Sequence, residues 1–159
     1  RRSLAVELLF RGKRIFAVAN HLSSKSDDDR AFGTPQPPRT PTASRRLAQA
    51  REVRAFVERL LAAAPDARVV VLGDLNDFEH SEAVRLLGAP PLENLVLRVP
   101  PESRYTFNYD GASQMLDHVV VSPALARDAE IELLHANSDC SDGKRTSDHD
   151  PIVTRLRTR

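Results

Sequence analysis

A chain of 159 residues, 41% of them apolar, can bury the core of one ordinary domain, and its mean hydropathy of −0.38 with no long apolar run excludes a membrane span. Lys and Arg number 23 against 22 acids, so bulk charge does not mark a polyanion binder and any phosphate affinity must be local. Cys140 is the only cysteine, which excludes an internal disulfide and a zinc cluster built on cysteines.

The chain opens "RRSLAVELLFRGKRIFAVAN", with neither an initiator Met nor a signal-peptide cleavage site, and is expected to be cut from a longer protein. Two apolar runs, 3–10 and 13–19, flank Arg11-Gly12 and predict a β-hairpin, with Gly12 supplying the positive φ of a tight turn. Residues 22–41 carry one Gly, four Pro and many short polar side chains, the composition of a long loop. Such a loop inside a compact domain is functional or disordered, and 23–39 is expected to be mobile and close to the site rim. Its Asp27-Asp28-Asp29 run reads as a solvated face, with a Ca²⁺ site as the sharper option.

Thr40-Pro41 is the expected start of a helix, Thr40 as N-cap and Pro41 at the first helical position. Leu47, Ala50, Val53, Val57, Leu60 and Leu61 form its apolar stripe, the basic residues including Arg46 lie mostly off it, and Pro65 ends it. A strand at 69–73, a short helix at 81–87 capped by Ser81, and strands at 104–109, 115–122, 129–136 and 151–156 follow. The order ββαβα and then strands predicts a mixed α/β fold with helices on one face of a mixed sheet.

Polar groups sit where these strands end. In "GDLND", Asp74 and Asn76 share a face if strand geometry persists, about 7 Å apart, and a carboxylate beside an amide holds a water and orients a phosphate oxygen. The same two residues equally suit a turn. His21 ends another strand in "NHLSSK", beside Asn20 and with Lys25 following. Asp117 lies in apolar sequence, where a lone carboxylate is costly without a partner, and it invites a histidine whose ring it orients. Alternation turns His118 to the opposite face, a structural position. In "TSDHDPIV", Asp148 suits a hard cation and His149 an anion, while Asp150-Pro151 alone would be only a turn into a strand. Two histidines, carboxylates and an amide, with no Ser or Cys nucleophile motif, suit metal-assisted attack of water on a phosphoester. An oxygen-donor site favours Mg²⁺, with Mn²⁺ or Ca²⁺ as alternatives, over zinc.

In this order, "NH", "GDLND", "LDH" and "SDHDP" resemble the carboxyl-terminal half of the endonuclease/exonuclease/phosphatase superfamily. "FGTPQPP", "RRLAQAREVRAFVERLL" and "YTFNYDGASQMLDHVVVSP" resemble its secreted bacterial nucleases. The resemblance implies a four-layer αββα sandwich of the deoxyribonuclease-like type, of which residues 1–159 supply one mixed sheet and outer helices. It implies that His21 contacts the phosphate and protonates the leaving oxygen, Asp74 orients or activates the water, and Asn76 holds the phosphate. It further implies that Asp117 orients a catalytic histidine, His21 or His149, that Asp148 binds metal, and that His149 contacts phosphate. Asn20, Lys25 and Tyr109 complete the expected substrate contacts.

The family's strand-end Asn and metal-binding Glu belong to an amino-terminal half outside this sequence, which is therefore an expected partner. Without it, the strands at 69–72 and 119–121, apolar on both faces, are expected to leave one face open, and the chain alone to be inactive. The implied activity is that of an extracellular, divalent-metal-dependent endonuclease acting on DNA, possible RNA cleavage included. A phosphatase or sphingomyelinase-like phosphodiesterase of the same fold is one alternative, and a non-catalytic binding domain another.

Overall fold

The computed structural model describes residues 2–30, 32–140 and 144–158. Strands β1 (Leu4–Phe10) and β2 (Lys13–His21) form the expected hairpin, in register from Leu4↔Ala19 to Phe10↔Lys13, with Arg11 and Gly12 both at positive φ. Helix α1 (Ala43–Ala63) carries the chain to β3 (Arg68–Asp74), which lies parallel to β2, as a strand–helix–strand crossover requires. Helix α2 (Glu82–Leu87) follows, with Ser81 Oγ accepting from the Val84 amide as predicted. A two-residue strand β4 (Glu93–Asn94) was not predicted; it is too short for periodicity to reveal.

The expected strand 104–109 shortens to β5 (Phe107–Tyr109), and 115–122 is preceded by a separate strand β6 (Ala112–Gln114) before β7 (Asp117–Val121). Asp110-Gly111, both at positive φ, turns β5 back on β6, a dipeptide signal that the sequence offers openly. After α3 (Pro123–Ala126), β8 (Glu130–Leu133) pairs with β9 (Ile152–Arg155) as a separate ribbon. The main sheet is mixed, in the order β1-β2-β3-β7-β4.

Two cores sandwich its centre. Val18, Val69, Val71 and Val120 pack under Ala50, Val53 and Val57 of α1 and Val84 and Leu87 of α2. On the opposite face Val70, Val119 and Val121 meet Leu95, Leu125, Ala126 and Ala129, with Ile131 and Ile152 of the ribbon beside them. The open face expected on β3 and β7 is therefore closed, because the β8–β9 ribbon and the turns before it fold back over it. The uncovered apolar surface lies on β1 instead, where Leu4, Val6, Leu8 and Phe10 are exposed. Register places them on the same face as the second core, through Val6↔Ala17, Ala17↔Val70 and Val70↔Val121.

Three further expectations are corrected. The helix begins at Ala43, not after Thr40, since the Thr42 amide and hydroxyl are both bound to Asp28 and the chain turns there. Within the preceding loop Asp29 accepts from the Arg39 amide and guanidinium, and the Asp28 side chain is buried rather than solvated. Arg46, expected off the apolar stripe, lies at its centre with 0% exposure, one turn before Ala50. Among the described residues no helix is long and apolar enough to cross a membrane.

Candidate active site

Sheet register builds the site. His21 at the end of β2 lies opposite Asp74 at the end of β3, which lies opposite Asp117 at the start of β7, a row of polar groups across three adjacent strands. His21 Nε2 is 3.4 Å from Asp74 Oδ2. Gly73 makes the approach of the first two strands possible. Its φ is +117°, and a Cβ there would lie 2.2 Å from the Asn20 carbonyl oxygen.

Beyond Asp74 the strand geometry stops, because Asn76 has a φ of +51°. The two side chains still meet, by a turn and not by strand alternation. The Asn76 amide donates to Asp74 Oδ1 at 2.8 Å, and its Nδ2 donates to Asp74 Oδ2 at 2.9 Å and to the Leu22 carbonyl at 3.2 Å. Asn76 thus orients Asp74 here. Burial is the main cause that raises the Asp74 carboxyl above its ordinary range, and the charge of Asp117 adds to it. The Asn76 amide and the two histidines oppose the rise.

The open question of Asp117 resolves to His149. Its Oδ2 receives His149 Nδ1 at 2.6 Å and the Thr106 hydroxyl at 2.7 Å. Thr106 is wholly buried, so two donors from different segments fix one carboxylate oxygen. The Phe107 ring packs on His149 at 4.8 Å, and the backbones of these two residues form an isolated bridge. The Asp117 hydrogen bond raises the His149 pKa above that of a free imidazole, against the effect of burial. With Nδ1 committed to the carboxylate, Nε2 is the nitrogen left for chemistry.

His118 is buried on the other face, as expected. Its Nδ1 meets Asn94 Nδ2 at 3.1 Å and its Nε2 the Asp77 carbonyl at 3.0 Å, and burial lowers its pKa so that it stays neutral.

His21, Asp74, Asn76, Asp117, Asp148 and His149 line one cleft of about 930 Å³, as do Lys25 and Tyr109. Asp148 and Tyr109 are exposed at its surface. Asn20 does not join them. It is buried, accepting from Ser3 Oγ and donating to the Val18 and Leu72 carbonyls, so its role is to lock β2 to its neighbours. Lys25 Nζ lies 3.3 Å from Asp77 Oδ1 and 4.4 Å over the Phe78 ring, a compensated cation rather than a free one.

Several contributors escaped the sequence reading. Thr106 had no signal. Asp150, read as a turn residue, is buried. It accepts from the Asn137 and Ser138 amides at 2.8 and 2.9 Å, from Ser138 Oγ, and from His135 at 3.3 Å. Asn137 Nδ2 in turn donates to the His149 carbonyl at 2.7 Å. This hub carries the segment that presents His149. Buried hydrogen bonds to Ser138 and Asn137 hold the Asp150 carboxyl below the ordinary range, although burial alone would raise it.

The donors of the cleft are oxygens of the kind a hard cation takes. In number they fall short: among the described residues no group of three or more His, Cys, Asp or Glu side chains converges to hold a metal, at Asp27–Asp29 or elsewhere. Asp148 is a single exposed carboxylate, and the described residues alone do not build a closed coordination shell.

Comparison with known structures finds the same fold. The structure superposes on truncated TDP2 of Caenorhabditis elegans with a TM-score of 0.72 and 19% identity, over 96% of this chain and 57% of that one. The catalytic domain of human nocturnin, with bound sulfate, gives 0.67 and 16%, over 98% and 53%. Sphingomyelinase C of Streptomyces griseocarneus gives 0.63 and 23%, over 94% and 56%. At these identities the likeness is one of fold, and the chain spans a little over half the length of the structures it matches. No curated protein sequence matches it significantly. The sequence model of the endonuclease/exonuclease/phosphatase family covers residues 1–141, and the chain belongs to that family.

Proposed function

We propose that this chain carries the acid–base half of a divalent-metal-dependent phosphodiesterase that cuts nucleic acid, DNA foremost and as an extracellular endonuclease. The observation that carries the reading is the convergence, in one cleft, of the His149–Asp117–Thr106 relay with the Asp74–Asn76 pair and His21. Asp74, raised by burial and steadied by Asn76, accepts a proton from water and aims it at phosphorus. His149, its Nδ1 held by Asp117, presents Nε2 to the phosphate oxygens, and His21 stands at the edge where a leaving oxygen takes up a proton. Mg²⁺, or Mn²⁺ or Ca²⁺ in its place, would be held with Asp148 as one of its donors and would polarise the phosphate.

Nucleic acid is favoured because TDP2 of D. rerio, described in complex with a single-strand DNA product, superposes on 97% of this chain at 21% identity. The sphingomyelinase likeness supports the second reading, a lipid phosphodiesterase. Secretion rests on the sequence resemblance alone. The exposed apolar face of β1 supports a further element of the proposal: the amino-terminal half of the same domain packs there.

The test is a substrate panel offered to the natural gene product that carries this chain: single- and double-stranded DNA, RNA, sphingomyelin vesicles and a phosphomonoester, each with Mg²⁺ and with chelator. DNA cleavage lost on chelation supports the proposal. Faster hydrolysis of sphingomyelin or of the monoester would transfer the activity to that class, and binding of DNA without cleavage would make this a binding domain.

A further inference from the structure

Arg46 is fully buried, at 0% exposure, and the acid–base chemistry above makes no use of it. All three arms of its guanidinium are occupied. Nε donates to Asp77 Oδ2 at 2.9 Å, Nη2 to Asp28 Oδ2 at 2.8 Å, and Nη1 to Thr42 Oγ1 and the Ser24 carbonyl. The Thr42 amide and hydroxyl donate to the other Asp28 oxygen at 2.9 and 2.7 Å. Asp77 Oδ1 accepts from the Phe78 amide at 3.1 Å, and Lys25 Nζ stands 3.3 Å from Asp77 and 3.8 Å from Asp28. Two cations meet two carboxylates, so the cluster is neutral. Burial would raise the Asp28 carboxyl, but the Thr42 and Arg46 contacts prevail and hold it below the ordinary range.

Stability alone is a weak reason for such a cluster. Well-packed apolar side chains in place of a buried ion pair are often equally or more stabilising, because the charges must be taken out of water. Its position in the chain supplies a better reason. Asp77 directly follows Asn76, and the segment of Ser24, Lys25 and Asp28 directly follows His21. The two segments that leave the catalytic ends of β2 and β3 are thus clasped from behind by one residue of α1. The segment after β3 turns sharply at this point, with Asn76 at a φ of +51°.

We propose that Arg46 is the positioning residue of the Asp74–Asn76 turn: through Asp77 and Asp28 it sets the turn against the His21 segment, so that Asn76 meets Asp74 at the cleft. Lys25, neutralised by the same two carboxylates, is a strut of this clasp. The inference rests on the phosphodiesterase reading for its kinetic consequence, but not for its structural one.

The experiment uses the natural gene product and its R46Q, R46K, D77N and N76A variants. Hydrogen exchange comes first, because it requires no activity. The amides of 75–78 in R46Q and D77N are expected to exchange about tenfold faster, while those of Ile15–Ala19 in β2 keep their protection. On bis(p-nitrophenyl) phosphate with Mg²⁺, R46Q and R46K should lower kcat by about 100-fold and leave KM within about threefold. In the N76A background R46Q should add almost nothing, since both changes act on one turn. D77N keeps the shape of its carboxylate and covers the case in which R46Q does not fold.

An even rise in exchange over the whole chain, or a lower Tm with unchanged kcat, would overturn the proposal, as would independent multiplication of the R46Q and N76A losses. A wild type that hydrolyses no phosphoester would instead sink the phosphodiesterase reading, and the exchange at 75–78 would then decide the role of Arg46 by itself.

Discussion

His149 Nδ1 lies 2.6 Å from Asp117 Oδ2, and this contact, made across 32 positions of sequence, orients the imidazole and favours its charged form. An ionised carboxylate only accepts, so Nδ1 carries the hydrogen and Nε2 faces the cleft. Asp117→Asn weakens the hydrogen bond that chiefly raises the His149 pKa and removes the charge that adds to it. The His149 ring, followed by NMR, should then titrate closer to the free-imidazole value of about 6.5, and the alkaline limb of the activity profile should move down with it. The sign of the stability effect follows. A histidine whose folded pKa is raised contributes stability that is complete below about 6.5 and lost as pH rises through the higher folded value. An unchanged His149 titration in the variant would show that Asp117 does not set its charge.

Asp74 has the opposite character. Its carboxyl is raised chiefly by burial, so ionising it works against the fold as pH rises above about 4. Asp74→Asn is expected to leave Tm unchanged or higher while activity falls by about 100-fold or more, the range of a lost general base. The acid limb of wild-type activity should lie above the ordinary carboxyl value. A variant with low Tm and full activity would make Asp74 a structural residue.

Asp150 tests the hub that presents His149. Its pKa is held down by Ser138 and Asn137, so its stabilisation is present above about 4 and lost as pH falls through the lower folded value. Asp150→Ala strips partners from one buried and one half-buried amide and should cost about 3 kcal/mol, measured by urea unfolding at neutral pH. A change below about 0.5 kcal/mol, the usual size of a surface substitution, would contradict the role.

The uncovered face of β1 makes a prediction for residues 1–159 expressed alone. Leu4, Val6, Leu8 and Phe10 are exposed on one face of an edge strand, the arrangement that promotes association. The chain should bind apolar dye and sediment as a concentration-dependent oligomer, and Val6→Thr with Leu8→Lys should reduce both. A monodisperse wild-type monomer that binds no dye would show that this face needs no cover.

The sequence made the strand-end motifs legible because each is local. "GDLND" follows a β-branched run, "NH" ends a hairpin strand and "LDH" alternates, so the polar row of His21, Asp74 and Asp117 was readable before its register was known. What joins those motifs was not readable. The partner of Asp117 depends on how the segment around His149 folds back against β5, a contact between residues 32 positions apart. Arg46 did carry a signal: it stands four residues before Ala50 and seven before Val53, in phase with the buried stripe, and only its charge argued for the surface. Asn20 adjoins His21 in sequence but not at the cleft, since neighbours in a strand point to opposite faces. The open apolar face was expected on β3 and β7 and lies on β1, because the strands at β8 and β9 were legible but their pairing into a ribbon that covers the sheet is not written in local pattern.

The most direct measurement of the central claim is the rate at which the natural gene product cleaves a single-stranded DNA oligonucleotide with Mg²⁺, compared with H149A, D74N and H118Q. The account predicts losses of about 100-fold or more for H149A and D74N, whose fold persists, and a far milder loss for H118Q, whose ring is buried against Asn94 and Asp77 away from the cleft. Equal losses for H118Q and H149A, or cleavage that survives in both H149A and D74N, would contradict it.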